Sequence, residues 1–188
     1  MVEKNTSLML FEDVMPEWLW DSIEEEFDDF EKKNIWKPYA SRKVDGLTSN
    51  AEAMSGLTAG QCLATPVSLE TKNILGELLK DYFPAESVDF SARYHINFPY
   101  SQLQPHNDSN NGWFATIYLM REWKSSWGGL FLWTPENWKK GNWLAITPQG
   151  NQLVVGNNKP PIRHMMTMIQ PFARVKRRSI QIWGKYEN

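Results

Sequence analysis

The apolar positions of this chain follow two different periods, and the change falls near Pro84. Before it they recur at helical spacing. In MPEWLWDSIEEEFDDFEKK, Leu19, Ile23, Phe27 and Phe30 fall on one face and Asp and Glu fill the other, which predicts an amphipathic helix with Pro16 at its first position. SLETKNILGELLKDYF predicts a second helix. Ser68 is its cap, Ile74, Leu75, Leu78, Leu79 and Tyr82 form its apolar face, and Pro84 is its stop.

Beyond Pro84 the period becomes two. In VDFSARYHINF, Val88, Phe90, Ala92, Tyr94, Ile96 and Phe98 alternate with Asp89, Ser91, Arg93, His95 and Asn97, the pattern of a half-polar strand. WFATIYLM, GGLFLWT, NWLAITP, NQLVVGN, IRHMMTMI and RRSIQIWG follow as short strands. The turn formers SSWGG, PENWKKGN and PQGN lie among them. Two helices followed by seven or eight strands indicate an α+β protein ending in an antiparallel sandwich or barrel. No repeat or linker divides it, so 1–188 reads as one domain, with a helical part over 1–84 and a β core over 85–188.

Composition narrows the function classes. Of 188 residues, 41 % are hydrophobic and 22 % charged, with a net charge of -2; this is a globular composition that gives no reason to expect nucleic acid or a membrane surface as partner. The single cysteine, Cys62, excludes an internal disulfide and a cysteine-based zinc site. The N-terminal stretch lacks the apolar core of a signal peptide, and no run approaches the length of a membrane span, so a cytoplasmic location is expected. Ten tryptophans, seven of them from Trp113 onward, suit the core of a β-rich domain better than an aromatic substrate pocket.

The candidate chemistry lies in QPHNDSNNGW. His106 and Asp108 are two apart, and residues i and i+2 on a strand share a face. An imidazole and a carboxylate so placed reach one cation. A further His would complete the facial triad of two His and one carboxylate that holds iron(II) and leaves the opposite positions open. The chain offers His95 and His164 for that third place. His164 is favoured because it starts a strand after the loop GNNKPPIR, whereas His95 sits mid-strand, where a polar residue is usually just polar.

NFPYSQLQPHNDSNN followed by TIYLMREWKSSWGGLFLW resembles the iron(II)/2-oxoglutarate-dependent dioxygenases of the prolyl-hydroxylase-like branch. The resemblance rests on an ordered set of features: His106-Asn107-Asp108, Tyr118-Leu119, Trp123, Gly128-Gly129, His164 and RRSIQIW. It covers about Ser91 to Trp183. It departs from the family at FPYSQ, where a Gly is common, and at Met120, where Asn is common.

The resemblance implies a double-stranded β-helix, or jelly roll, with the N-terminal helices packed on its major sheet. It implies His106, Asp108 and His164 as Fe(II) ligands and 2-oxoglutarate and O2 as cosubstrates. Tyr118, Arg177 and Ser179 would hold the far carboxylate of 2-oxoglutarate. Spacing from the distal His favours Arg174 as the basic partner, and spacing to Ser179 and Trp183 favours Arg177; Arg177 is preferred, with IQPFARVK as a small insertion. The expected reaction is hydroxylation of an aliphatic C–H in a small molecule or amino-acid side chain, with succinate and CO2 as co-products. The retained Asp108 argues against halogenation. The alternative is a non-catalytic jelly-roll module that binds a sugar or peptide.

Overall fold

The structure is a computed structural model that describes residues 8–39, 62–82, 90–106, 112–135, 142–157 and 162–184. The helical period produces α1 (Glu17–Lys32), which buries Leu19, Trp20, Ile23 and Phe27. Pro16 stands one place earlier than expected, as the cap residue. Its carbonyl accepts from the amides of Leu19 and Trp20, so it opens the helix without needing the N–H it lacks. The second helix, α2 (Leu69–Lys80), is capped by Ser68, whose hydroxyl accepts from the Thr71 amide. Its expected stop, Pro84, lies outside the described residues.

The alternating segments supply β4 (Phe90–Asn97), β6 (Trp113–Tyr118), β7 (Phe131–Thr134), β8 (Leu144–Ile146), β9 (Leu153–Asn157), β10 (Arg163–Met166) and β11 (Arg177–Gly184). The stretch before His106 forms β5 (Leu103–His106). The part read as helical also contributes three short strands, β1 (Met9–Phe11), β2 (Lys37–Pro38) and β3 (Cys62–Pro66). β1 and β2 form the edges of the main sheet and β3 lies inside β2; two or three residues at an edge give too short an alternation to stand out in sequence, and the five residues of β3 do not alternate cleanly in burial. The sheets run β1-β9-β6-β11-β4-β3-β2 and β5-β10-β7-β8. All strand pairs within them are antiparallel.

Strand β11 is the spine of the larger sheet. It pairs with β4 along its whole length and with β6 from Ser179 to Gly184, and both of its faces are covered. One face sends Ile180 and Ile182 into a core shared with Tyr94, Ile96, Ile117, Leu153 and the helical Leu19, Ile23, Phe27, Leu75 and Leu79. On the other, Phe114, Tyr118 and Val154 meet Phe131, Trp133, Ile146 and Met166 of the smaller sheet. This is the jelly roll with helices on the major sheet that the sequence led us to expect. The tryptophans mostly serve as core: Trp113 lies under the helices and Trp123, Trp127 and Trp133 between the sheets.

Charge ties α1 to the sheet. The Arg178 guanidinium lies 4.6 Å above the Phe27 ring and donates to Asp28 and Glu31; Lys176 also reaches Glu31. Two basic residues next to β11 thus clasp the acidic face of α1. No described helix is long and apolar enough to cross a membrane.

Glu26 joins the helices. Its carboxylate accepts from the Ser68 amide at 3.0 Å, the Ser68 hydroxyl at 2.7 Å and the Thr71 hydroxyl at 2.6 Å. Burial pushes its pKa up, but these hydrogen bonds outweigh burial and hold it below the usual carboxylate range. A depressed carboxyl pKa stabilises the fold above the unfolded value, and that contribution fades as pH falls through the folded value. Glu26→Ala should therefore cost about 2 kcal/mol near neutral pH, and the deficit should shrink toward pH 3 in denaturant melts. An equal deficit at both pH values would mean that the carboxylate charge is irrelevant to this joint.

Candidate metal centre and anion pocket

Strands β5 and β10 place His106 directly opposite His164. Cross-strand partners share a face, and the two imidazole centroids are 4.4 Å apart. His164 is 7 % exposed. Its ring lies 4.7 Å from Phe114 of the major sheet and stacks on Phe131 at 5.8 Å. It therefore points into the space between the sheets, with aromatic walls that exclude water. Asp108 lies outside the described residues, and among those described no group of three His, Cys, Asp or Glu side chains forms. His95 stands apart from this pair, on β4 opposite Ser179, where its Nδ1 is 3.9 Å from the Cys62 sulfur.

The donor set fits a metal. Two side-by-side imidazoles on adjacent strands, one of them buried and held by packing, suit a cation that prefers nitrogen and oxygen ligands and needs open positions. A carboxylate two residues past His106 would complete three protein ligands.

The inward face of β11 carries the second part of the site. Arg177 is 3 % exposed, whereas Arg174, its rival by spacing, is exposed on the preceding loop. The Arg177 Nε donates to the Gly129 carbonyl at 3.1 Å, Nη1 points at the Asn97 carboxamide oxygen at 3.5 Å, and the guanidinium lies 4.9 Å from the Tyr118 ring centroid. No carboxylate pairs with it among the described residues. Burial lowers its pKa, and burial raises that of Tyr118 against the pull of the neighbouring Arg177. The phenol is thus a neutral donor beside a cation. Ser179 is fully buried and lies between Tyr118 on β6 and His95 on β4. Gln181 donates to the Ser179 hydroxyl at 3.3 Å and accepts from Thr116 at 3.1 Å. A polar ladder therefore runs along β11 from its guanidinium end.

The glycine pair after Trp127 sets the position of Arg177. Gly128 and Gly129 have φ of 69° and 63°, the left-handed region that favours glycine. A Cβ on Gly128 would stand 2.0 Å from the Met168 carbonyl. One on Gly129 would stand 3.0 Å from the Trp123 ring and 3.1 Å from the Arg177 Cδ. The Trp123 indole N–H fixes the turn by donating to the Gly128 carbonyl at 2.9 Å.

Sequence reasoning missed the polar wall made by Cys62, His95 and Asn97, which are 2 %, 6 % and 4 % exposed. Their only signal was the polar half of the β4 alternation, which ordinarily marks a solvent face. Trp113 lies in the core on the helix side.

Solved structures share this architecture. A prolyl-4-hydroxylase from Pseudomonas putida superposes with a TM-score of 0.67 at 14 % identity, over 97 % of this chain and 94 % of that one. A prolyl hydroxylase from Trichoplax adhaerens, in complex with a peptide fragment of the hypoxia inducible factor oxygen degradation domain, gives 0.67 at 11 %, over 96 % and 84 %. The fold is that of the prolyl hydroxylases. It extends to SnoK, a non-haem α-ketoglutarate-dependent carbocyclase from nogalamycin biosynthesis, at 0.67 and 10 %, over 97 % and 81 %. No family model and no curated protein matches the sequence.

The glycine geometry gives a direct test. Gly129→Ala forces a left-handed Cβ against Trp123 and Arg177 and should cost about 1–3 kcal/mol in denaturant melts. An unchanged midpoint would show that the turn relaxes freely and does not fix Arg177.

Proposed function

We propose that the protein is an Fe(II)- and 2-oxoglutarate-dependent dioxygenase that hydroxylates an aliphatic C–H and releases succinate and CO2. The observation that carries this reading is Arg177: a buried guanidinium with neutral neighbours, in the prolyl-hydroxylase fold, on the interior that His106 and His164 also line. A buried charge that meets only neutral partners, as Arg177 does among the described residues, costs several kcal/mol. A bound dicarboxylate accounts for its presence.

His106, Asp108 and His164 would hold Fe(II), which when bound supplies the activation of O2 and the oxidative decarboxylation of 2-oxoglutarate. Arg177 receives the far carboxylate through its planar fork. Ser179 and Tyr118 add hydroxyl donors from neighbouring strands, so the carboxylate is held from two sides. Phe114 and Phe131 hold the His164 plane and keep the metal end dry. The substrate is a small molecule or an amino-acid side chain. The named neighbours support that range, two being prolyl hydroxylases, one with a peptide bound, and one a carbocyclase of a biosynthetic pathway.

The test is anaerobic. Fe(II) followed by 2-oxoglutarate should produce the weak visible charge-transfer band of a chelated keto acid. His106→Ala and Asp108→Ala should abolish the band while far-UV circular dichroism is unchanged. Arg177→Met should leave metal binding intact and weaken 2-oxoglutarate by about 100-fold or more, the scale of a lost charge-assisted pair. A band that survives in His106→Ala would sink the ligand assignment. Folded wild-type protein that binds no iron would favour the non-catalytic binding module.

A further inference from the structure

The groups that face Arg177 share one property. Register puts Cys62, Asn97 and Arg177 in one row across β3, β4 and β11, and Tyr118 borders them from β6. All four are buried. Burial pushes the Cys62 thiol up to about 12 and raises the Tyr118 phenol, so both stay uncharged at working pH. Among the described residues, the acidic side chains paired with Arg178 and Arg121 lie on α1. The described groups lining the pocket orient a guanidinium without cancelling its charge.

Asn97 has the central place. It is the cross-strand partner of Arg177 and offers its carboxamide oxygen to Nη1. Aspartate would have nearly the same shape there. It would also form a buried ion pair with the guanidinium, and an arriving carboxylate would then meet a neutral pair and a like charge. We propose that Asn97 is a positioning residue, which aims the Arg177 guanidinium yet leaves its charge free for the carboxylate of the cosubstrate. This rests on the reading of the site given above.

The test uses the full chain with Mn(II), which is redox-silent, and 2-oxoglutarate in calorimetric titrations, together with thermal melts of the metal-free protein. Asn97→Asp should weaken 2-oxoglutarate by about 100-fold or more. It should also raise the apo melting temperature by a few degrees, roughly the response of a domain this size to one added favourable interaction. Asn97→Leu removes the acceptor without adding charge. It should weaken 2-oxoglutarate about tenfold with Mn(II) affinity unchanged.

A merely structural asparagine would give the opposite pattern, with lower melting in both variants and 2-oxoglutarate affinity within about threefold of wild type. That result would overturn the proposal. If Asn97→Asp does not fold, Asn97→Leu decides alone: retained affinity overturns the assignment and a tenfold loss upholds it. The apo melt needs no cosubstrate, so a fall in Asn97→Asp melting refutes the charge argument by itself. Wild-type protein that binds no 2-oxoglutarate refutes the reading of the site instead.

Discussion

A guanidinium buried between two sheets with no carboxylate beside it among the described residues is the costly feature of this protein, and the surrounding structure is arranged to sustain it. Arg177 and Arg178 are consecutive on β11 and have opposite fates. Arg178 turns outward to the acidic face of α1 and the Phe27 ring, while Arg177 turns inward to a carbonyl, a carboxamide and an aromatic face. Alternation on a strand enforces the split. A one-residue slip would exchange the two arginines and move Ile180 and Ile182 out of the helix-facing core. The apolar face of β11 therefore sets which arginine turns inward.

The turn at Gly128 and Gly129 completes the arrangement from the smaller sheet. Its carbonyl at Gly129 takes the Arg177 Nε, and the glycines allow the chain to pass close to Met168 and Ile169. The segment 167–176 is anchored there by the bridge between Gly128 and Ile169 and by backbone bonds from Ser101 and Tyr100. That gives the inserted stretch before β11 a physical role. It lets β11 begin at Arg177, which is buried, with Arg174 left exposed on the loop.

Much of this was legible in the sequence because the signals were long or chemically distinctive. The two helices and the seven strand segments follow from period, capping and residue type, and the nearness of His106 and His164 was expected from the resemblance. What was not legible depended on context. Strands β1 and β2 are two- or three-residue edge elements, and β3 does not alternate cleanly. The polar face of β4 reads as a solvent face because a half-polar strand usually has one. Here the larger sheet is covered on both sides, so His95 and Asn97 form an interior wall. Two of the basic residues near β11 read as solvated because their partners, Asp28 and Glu31, lie about 150 positions away in the chain.

The two ends of the interior differ in a way that bears on binding. At His164 the walls are Phe114 and Phe131; at Arg177 they are a thiol, a carboxamide, a hydroxyl and a phenol. The dry end suits a metal whose bound species must be kept from water, and the charged end suits an anion. The guanidinium has already lost its hydration when the protein folds, so an incoming carboxylate meets a desolvated and oriented donor and need not strip water from it. The desolvation cost falls on folding, and selectivity for a carboxylate would be gained at binding under the proposed function. A fold able to bear that cost must cover β11 on both faces, as the helices and the smaller sheet do here.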